Sequence, residues 1–121
     1  MSYNITNWKT KKLQNLTIPL NVFFENVDWH QEEPVIINKE TMEIELYCGC
    51  EQLIKGTLKD DIIHVTDLEM DGDGSGHFRC MVLDKALRQS KGELEAILVW
   101  EGGDSITKLK VKDGVIEETE L

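Results

Sequence analysis

The feature that most constrains the fold of this chain is a series of short segments in which apolar and polar residues alternate, with turn residues between them about every ten residues. Residues 41–50 are an example, because Ile44 and Leu46 fall on one side of an extended strand and Glu43 and Glu45 on the other. The same pattern predicts further strands over residues 18–24, 34–37, 53–58, 62–68, 78–82, 93–100, 106–111 and 115–119. Hairpin turns are expected at residues 59–61 and 112–114, and the apolar run at residues 97–99 predicts that the strand at 93–100 is covered on both sides. From these nine candidate segments we expect about seven or eight short strands.

One short helix is expected near residues 84–91. Asp84 is a suitable N-terminal cap, Ala86 and Leu87 favour helix, and Gly92 is a stop signal. Strands in this number with one helix predict a mainly β or α+β fold, in which an antiparallel sheet curls into a sandwich or an open barrel. Because no linker or repeat divides the sequence, we expect residues 1–121 to form a single globular domain.

Charge excludes several classes of partner. The chain has 23 acidic and 13 basic residues and a formal net charge of −10. Proteins that bind nucleic acids or anionic membranes need clustered Lys and Arg on their surface. The basic cluster at Lys9, Lys11 and Lys12 is interpreted as a solvated terminal segment. No run of about 20 apolar residues and no secretory signal is present, so we expect a soluble, cytoplasmic protein.

The three cysteines are expected to be free thiols. Cys48, Cys50 and Cys80 are odd in number, which fits a reducing compartment better than a disulfide framework. With His77 they could supply four zinc ligands, but His77 and Cys80 would point to opposite faces of a strand. Packing of the cysteines in the core is the favoured interpretation, and a redox pair at Cys48 and Cys50 is the alternative.

The segment MDGDGSGHF, residues 70–78, resembles the first half of a calcium loop. Asp71, Asp73 and Ser75 occupy alternate ligand positions, but the position of the bidentate Glu is taken by Val82. Calcium requires six or more oxygen ligands, so a long hairpin loop is the favoured interpretation and weak calcium binding the alternative. We therefore predict no metal and no cofactor.

No catalytic constellation is recognisable. The histidines are His30, His64 and His77, and no serine has the strand-to-helix context of a nucleophile elbow. His64 is expected to be a packed or hydrogen-bonded sheet residue. We predict that the protein is not an enzyme; an enzyme would have to use His64 or His77 with a neighbouring carboxylate.

Two predicted loops combine a tryptophan with acidic residues. An indole provides contact area and carboxylates provide electrostatic steering, so such loops suit a basic protein partner. The candidate binding residues are Trp29, Glu32, Glu33, Trp100, Glu101 and Asp104. In the alternative interpretation, both tryptophans pack at the edge of the core and the acids are solvated.

These observations favour a non-catalytic, acidic protein-binding module. Small acidic proteins of this composition include inhibitors and immunity proteins, which neutralise basic toxins by imitating the charge of their substrates. The first alternative is a sandwich or barrel that holds a small apolar ligand between its sheets. The second is a structural or assembly domain that pairs through exposed strand edges, and the sequence leaves the oligomeric state open.

Overall fold

A computed structural model of the protein describes residues 5–22, 34–48, 51–68, 84–100, 102–103 and 105–121. The strand predicted over residues 78–82 lies outside these ranges. The elements, labelled in chain order, are β1 (Ile5–Pro19), β2 (Val35–Asn38), β3 (Glu43–Cys48), β4 (Glu51–Lys59), β5 (Ile62–Leu68), α1 (Asp84–Arg88), β6 (Lys91–Trp100), β7 (Ile106–Lys112) and β8 (Val115–Glu120).

All of these strands belong to one antiparallel sheet. Their order across the sheet is β2-β3-β4-β5-β1-β6-β7-β8, so β1 joins two meanders, one formed by β2 to β5 and the other by β6 to β8. The sheet is not closed into a barrel, and β2 and β8 are its edges among the strands that the structure describes. The predicted mainly β fold, with an antiparallel sheet of about eight strands and a short helix, is confirmed.

The position of β1 corrects two predictions. The strand predicted over residues 18–24 is misplaced, because β1 is a strand of 15 residues that ends at Pro19. The basic cluster that starts at Lys9 is exposed to solvent, as expected, but it is not a terminal segment outside the sheet. It lies inside β1, where Lys12 is directly opposite Glu95 of β6.

Irregular pairing explains why the sequence did not reveal β1. Its register against β6 shifts between Ile5 and Asn7, between Thr10 and Lys12, and between Gln14 and Thr17. Each inserted residue interrupts the period of two that identifies a strand. As a result, Trp8, Leu13 and Leu16 all pack in or against the core although their spacing does not follow one alternation.

The hydrophobic core lies on one face of the sheet. In β6, Leu94, Ala96 and Leu98 are buried at alternate positions, and Ala86 and Leu87 of α1 are buried with them. Each fully buried leucine stabilises the fold by ~1.5–3 kcal/mol relative to an exposed one. The other buried apolar residues are Trp8, Leu16, Ile18, Val22, Ile44, Leu46, Ile54, Ile63, Val65, Leu68, Leu109 and Val111. The opposite face is called the outer face below.

The helix is shorter than predicted, and Gly92 does not end it. After α1 comes the buried Ser90, whose Oγ donates a hydrogen bond to the carbonyl oxygen of Leu87 at 2.6 Å, and β6 then begins at Lys91. Gly92 lies within this strand with a φ of +94°. A Cβ there would overlap the carbonyl oxygen of Asn15 in β1, so the position requires glycine.

Two of the predicted hairpin turns are confirmed. Asp60 and Asp61 connect β4 to β5 with φ values of +52° and +60°, and Asp113 and Gly114 connect β7 to β8 with φ values of +47° and +84°. Two successive left-handed residues are the signature of a type I′ turn, whose twist matches that of the flanking strands. The Asp113 side chain also accepts a hydrogen bond from the Gly92 N–H at 3.0 Å.

Candidate functional site

The outer face carries charges whose sign alternates from one strand to the next. The register places the acidic row of β6 between basic rows on β1 and β7, and an acidic position of β8 beyond β7. This charge ladder consists of Lys12 on β1, Glu93 and Glu95 on β6, Lys108, Lys110 and Lys112 on β7, and Glu117 on β8. Opposite charges on neighbouring strands stabilise the pairing modestly, by ~0.2–1 kcal/mol per pair.

Ion pairs hold the centre of the charge ladder together. Glu93 forms an ion pair with Lys12 of β1, and its other carboxylate oxygen, Oε1, lies 3.6 Å from Lys112 Nζ of β7. Lys108 Nζ lies 3.1 Å from Glu95 Oε1. The hydrogen bond and charge of Lys12, followed by the weaker influence of Lys112, lower the pKa of Glu93. The same contact with Glu93 raises the pKa of Lys12.

The rest of the outer face of β6 is less covered than the sequence predicted. The apolar run that includes Ile97 and Val99 predicted a strand covered on both sides, but these two side chains are only half-buried. On the core face, Leu98 between them is fully buried. The sheet is therefore packed on one face, and the charge ladder is accessible to solvent on the other.

The negative charge of the chain is unevenly distributed between the described residues and the segments that connect them. The described residues include 14 acidic and 12 basic residues, which nearly cancel. Residues 23–33 and 69–83, with Glu101 and Asp104, contain the other nine acidic residues and one basic residue. Most of the net charge of −10 therefore belongs to these connecting segments.

Each of the two long acid-rich segments connects opposite ends of the sheet. β5 and β6 both pair antiparallel with β1 and run toward the end where Ile5 lies opposite Trp100, which we call the Trp100 end of the sheet. Val35, the first residue of β2, lies toward this end too, since the register connects it through Glu45 and Lys55 to the last residues of β5. The other termini lie toward the opposite end, because residues 23–33 follow β1 and residues 69–83 precede α1 and the start of β6.

Of the six candidate binding residues, only Trp100 is among those that the structure describes. Trp29, Glu32, Glu33, Glu101 and Asp104 lie outside the described ranges. Trp100 is half-buried against the core, and its Nε1 donates a hydrogen bond to Thr107 Oγ1 at 2.9 Å. Because the indole donor is already used within the fold, Trp100 follows the alternative interpretation of a tryptophan that packs at the edge of the core.

The two edges of the sheet differ in character, and this was not foreseen from the sequence. All four residues of β2 are exposed, and Val35, Ile36 and Ile37 expose 43%, 46% and 50% of their surface. The other edge, β8, instead exposes the charged residues Glu117 and Glu120. The sequence predicted a strand at 34–37, but an apolar run of this kind is equally typical of a buried strand.

For the candidate metal-binding, cysteine and histidine residues, the structure gives information only where it describes them. The segment 70–78, His77, Cys50 and Cys80 lie outside the described residues, as does the side chain of Cys48. Within the described part of the chain, no group of three or more His, Cys, Asp or Glu residues could hold a metal ion. His64 is a residue of the sheet, paired within β5 as predicted, but it is exposed rather than packed.

Two open, charged grooves lie on the outer face among the residues that the structure describes. One groove of about 200 Å³ lies over Lys12, Glu93 and Lys112. Another, of about 510 Å³, is lined by Lys110, Lys112, Asp113, Val115 and Glu117. Sites for small apolar ligands are concave and mostly apolar, so these two grooves are not suited to such a ligand.

No protein-family model matches the chain. No curated protein and no solved structure matches it either. Among the residues described, no helix has the length and apolar character needed to cross a membrane. The class that the fold defines is an open, eight-stranded antiparallel sheet with a short helix.

Proposed function

We propose that this protein is a non-catalytic, acidic binding module for a basic protein, of the inhibitor or immunity type. The observation that carries the proposal is the distribution of charge. In the described strands acidic and basic residues nearly cancel, and several form cross-strand ion pairs on the outer face. The excess acid is concentrated in the connecting segments, each of which has at least one terminus at the Trp100 end of the sheet.

This distribution supports a binding role because charge that is neutralised within a sheet contributes little field beyond it. Screening at physiological ionic strength limits the range of unpaired charges to ~8 Å, so a group of acids concentrated in a few connecting segments acts on a nearby partner more strongly than the same charge spread evenly. Such a group accelerates encounter with a basic surface and orients it. Trp29 would supply apolar contact area beside it.

The proposal is tested by identifying a partner and measuring how charge affects its association. The protein is immobilised and exposed to its native lysate at low ionic strength, and retained proteins are identified by mass spectrometry. We expect a specific protein of high isoelectric point. Its association rate with the purified protein should fall steeply as salt is added, while its dissociation rate changes less.

Matched charge variants separate the position of the acids from their number. One variant carries Glu32→Gln, Glu33→Gln and Glu101→Gln, and the control carries Glu40→Gln, Glu117→Gln and Glu120→Gln, so both lower the net charge of −10 to −7. The first variant should slow association by about tenfold or more and the control by much less. Equal effects would contradict a localised site, and failure to retain any basic protein would contradict the function itself.

A further inference from the structure

The two edges of the sheet are differently suited to pairing with another chain. An edge strand presents unpaired backbone N–H and C=O groups, and proteins discourage pairing there with charged side chains. β8 follows that rule through the exposed Glu117 and Glu120. β2 does not, because three consecutive apolar residues, Val35, Ile36 and Ile37, are exposed along it. β2 is therefore the edge at which strand addition is favoured.

We propose that β2 accepts an extended, basic segment of the partner protein as an added strand. This inference rests on the proposed function and specifies how the partner is bound. Strand addition provides affinity through backbone hydrogen bonds, and alternate side chains provide specificity. The chemistry of both faces of β2 indicates which side chains the added strand should carry.

The core face of β2 calls for an apolar residue on the added strand. Ile36 lies directly opposite Ile44 of β3. Ile44 is 1% exposed, whereas Ile36 is left 46% exposed at the end of the same row. An apolar side chain on the next strand would cover Ile36 and extend the core by one strand, with ~25 cal/mol gained per Å² of apolar surface buried.

The outer face of β2 calls for Lys or Arg. Val35 lies opposite Glu45, and Asn38 lies opposite the exposed Glu43. A strand added beyond β2 would be about 10 Å from β3, since neighbouring strands are ~4.8 Å apart. Glu45 already lies opposite Lys55 of β4, whereas Glu43 lies opposite Thr57. A Lys or Arg opposite Asn38 can span this distance and bring its charged group toward Glu43.

A second copy of this chain is a poorer occupant of β2. At ~3.3 Å per residue, the strand of four residues is about 13 Å long. Two such edges would bury far less than the roughly 1,200 Å² typical of a stable interface. Two copies would also bring together chains that each carry a net charge of −10. A basic segment avoids that repulsion and belongs to a protein that can make further contacts.

The test uses the full-length protein and synthetic peptides. One probe alternates Lys with Val, and a control peptide alternates Glu with Val. We expect the Lys-Val peptide to increase hydrogen-exchange protection of the amides of Val35–Asn38, measured by NMR, and the Glu-Val peptide to have no effect. Protection of the β8 amides instead, or equal protection by both peptides, would overturn the proposal.

Two matched variants establish the role of the edge. Ile36→Lys and Val115→Lys each place one positive charge at an exposed aliphatic position, the first on β2 and the second on β8. Both should fold, as judged by circular dichroism, and Ile36→Lys alone should weaken binding of the Lys-Val peptide by about tenfold. Equal binding by both variants would contradict the proposal.

Further outcomes separate this inference from the proposed function. If Ile36→Lys retains the basic protein from the lysate as well as the unaltered chain does, the function stands and the role of β2 is wrong. If no basic protein is retained but the peptide still protects Val35–Asn38, then β2 accepts a basic strand and the proposed function is wrong. If the unaltered chain sediments as a dimer that Ile36→Lys dissociates and Val115→Lys does not, the occupant is a second copy and the basic segment is wrong.

Discussion

Gly92→Ala should destabilise the protein through a contact between β6 and β1. Gly92 has a φ of +94°, which costs an alanine ~1–2 kcal/mol in backbone strain. Its Cβ would also overlap the Asn15 carbonyl oxygen and lie 2.7 Å from that of Gln14. Both are main-chain atoms of β1, so relief requires a shift of a central strand, which costs ~1–3 kcal/mol more.

The expected total is ~2–5 kcal/mol, a large part of the ~5–15 kcal/mol that stabilises a typical domain. For a chain of 121 residues this corresponds to a fall in Tm of about 10–20 °C. Thermal and urea denaturation followed by circular dichroism measure the effect, and urea gives the change in the free energy of unfolding directly.

Gly103→Ala is the matched control. Gly103 also has a positive φ, +74°, but a Cβ there would meet no atom within 4 Å. This variant should therefore show the backbone strain alone, about 1 kcal/mol. If the two substitutions cost the same free energy of unfolding, the close approach of Asn15 contributes nothing and the reasoning about Gly92 is refuted.

Three further predictions concern the charge ladder and the core. Lys12→Gln should raise the pKa of Glu93 toward 4.5 in an NMR titration, and Lys112→Gln should raise it less, because Lys12 is the larger cause of its depression. Since the pKa of Glu93 is lowered on folding, the contribution of this residue to stability is present above pH 4.5 and is lost as the pH falls through the folded-state pKa. Lys12→Gln should therefore make the free energy of unfolding depend less steeply on pH on the acid side. Leu98→Ala should lower the free energy of unfolding by ~2–5 kcal/mol in urea, because Leu98 is fully buried. Trp100→Phe should cost only ~0.5–1.5 kcal/mol, the loss of its side-chain hydrogen bond; a cost comparable to that of Leu98→Ala would contradict that assignment.

Local chemistry decided which parts of the fold could be predicted from the sequence. The hairpin of β7 and β8 was predicted to within one residue, because its alternation is uninterrupted and Asp113-Gly114 suits a type I′ turn. β1 was misplaced because its bulges disrupt the alternation. Gly92 was misread because glycine serves equally at a helix end and at a close approach between strands.

The cancellation of charge in the sheet could be recognised only from the strand order together with the sequence. The number of acids is visible in the chain, but their cancellation depends on β1 lying between β5 and β6, which brings Lys12 beside Glu93 although the two are distant in sequence. Likewise, β2 becomes an edge only because the first meander ends there. Neither property follows from any local pattern of residues.

This partition of charge implies that stability and the proposed binding can be altered separately. Lys12 and Glu93 join two strands of the sheet, so their substitution acts on the pairing of β1 with β6. Glu32, Glu33 and Glu101 are not part of the described strands, and removing acids from an acidic chain reduces its self-repulsion. A single acidic surface spread over the strands would couple the two properties, because each neutralised acid would also remove a cross-strand partner. Because the neutralised charges lie in the sheet and the excess lies in the connecting segments, the proposed binding of a basic protein can change without altering the pairs that hold β1 in place.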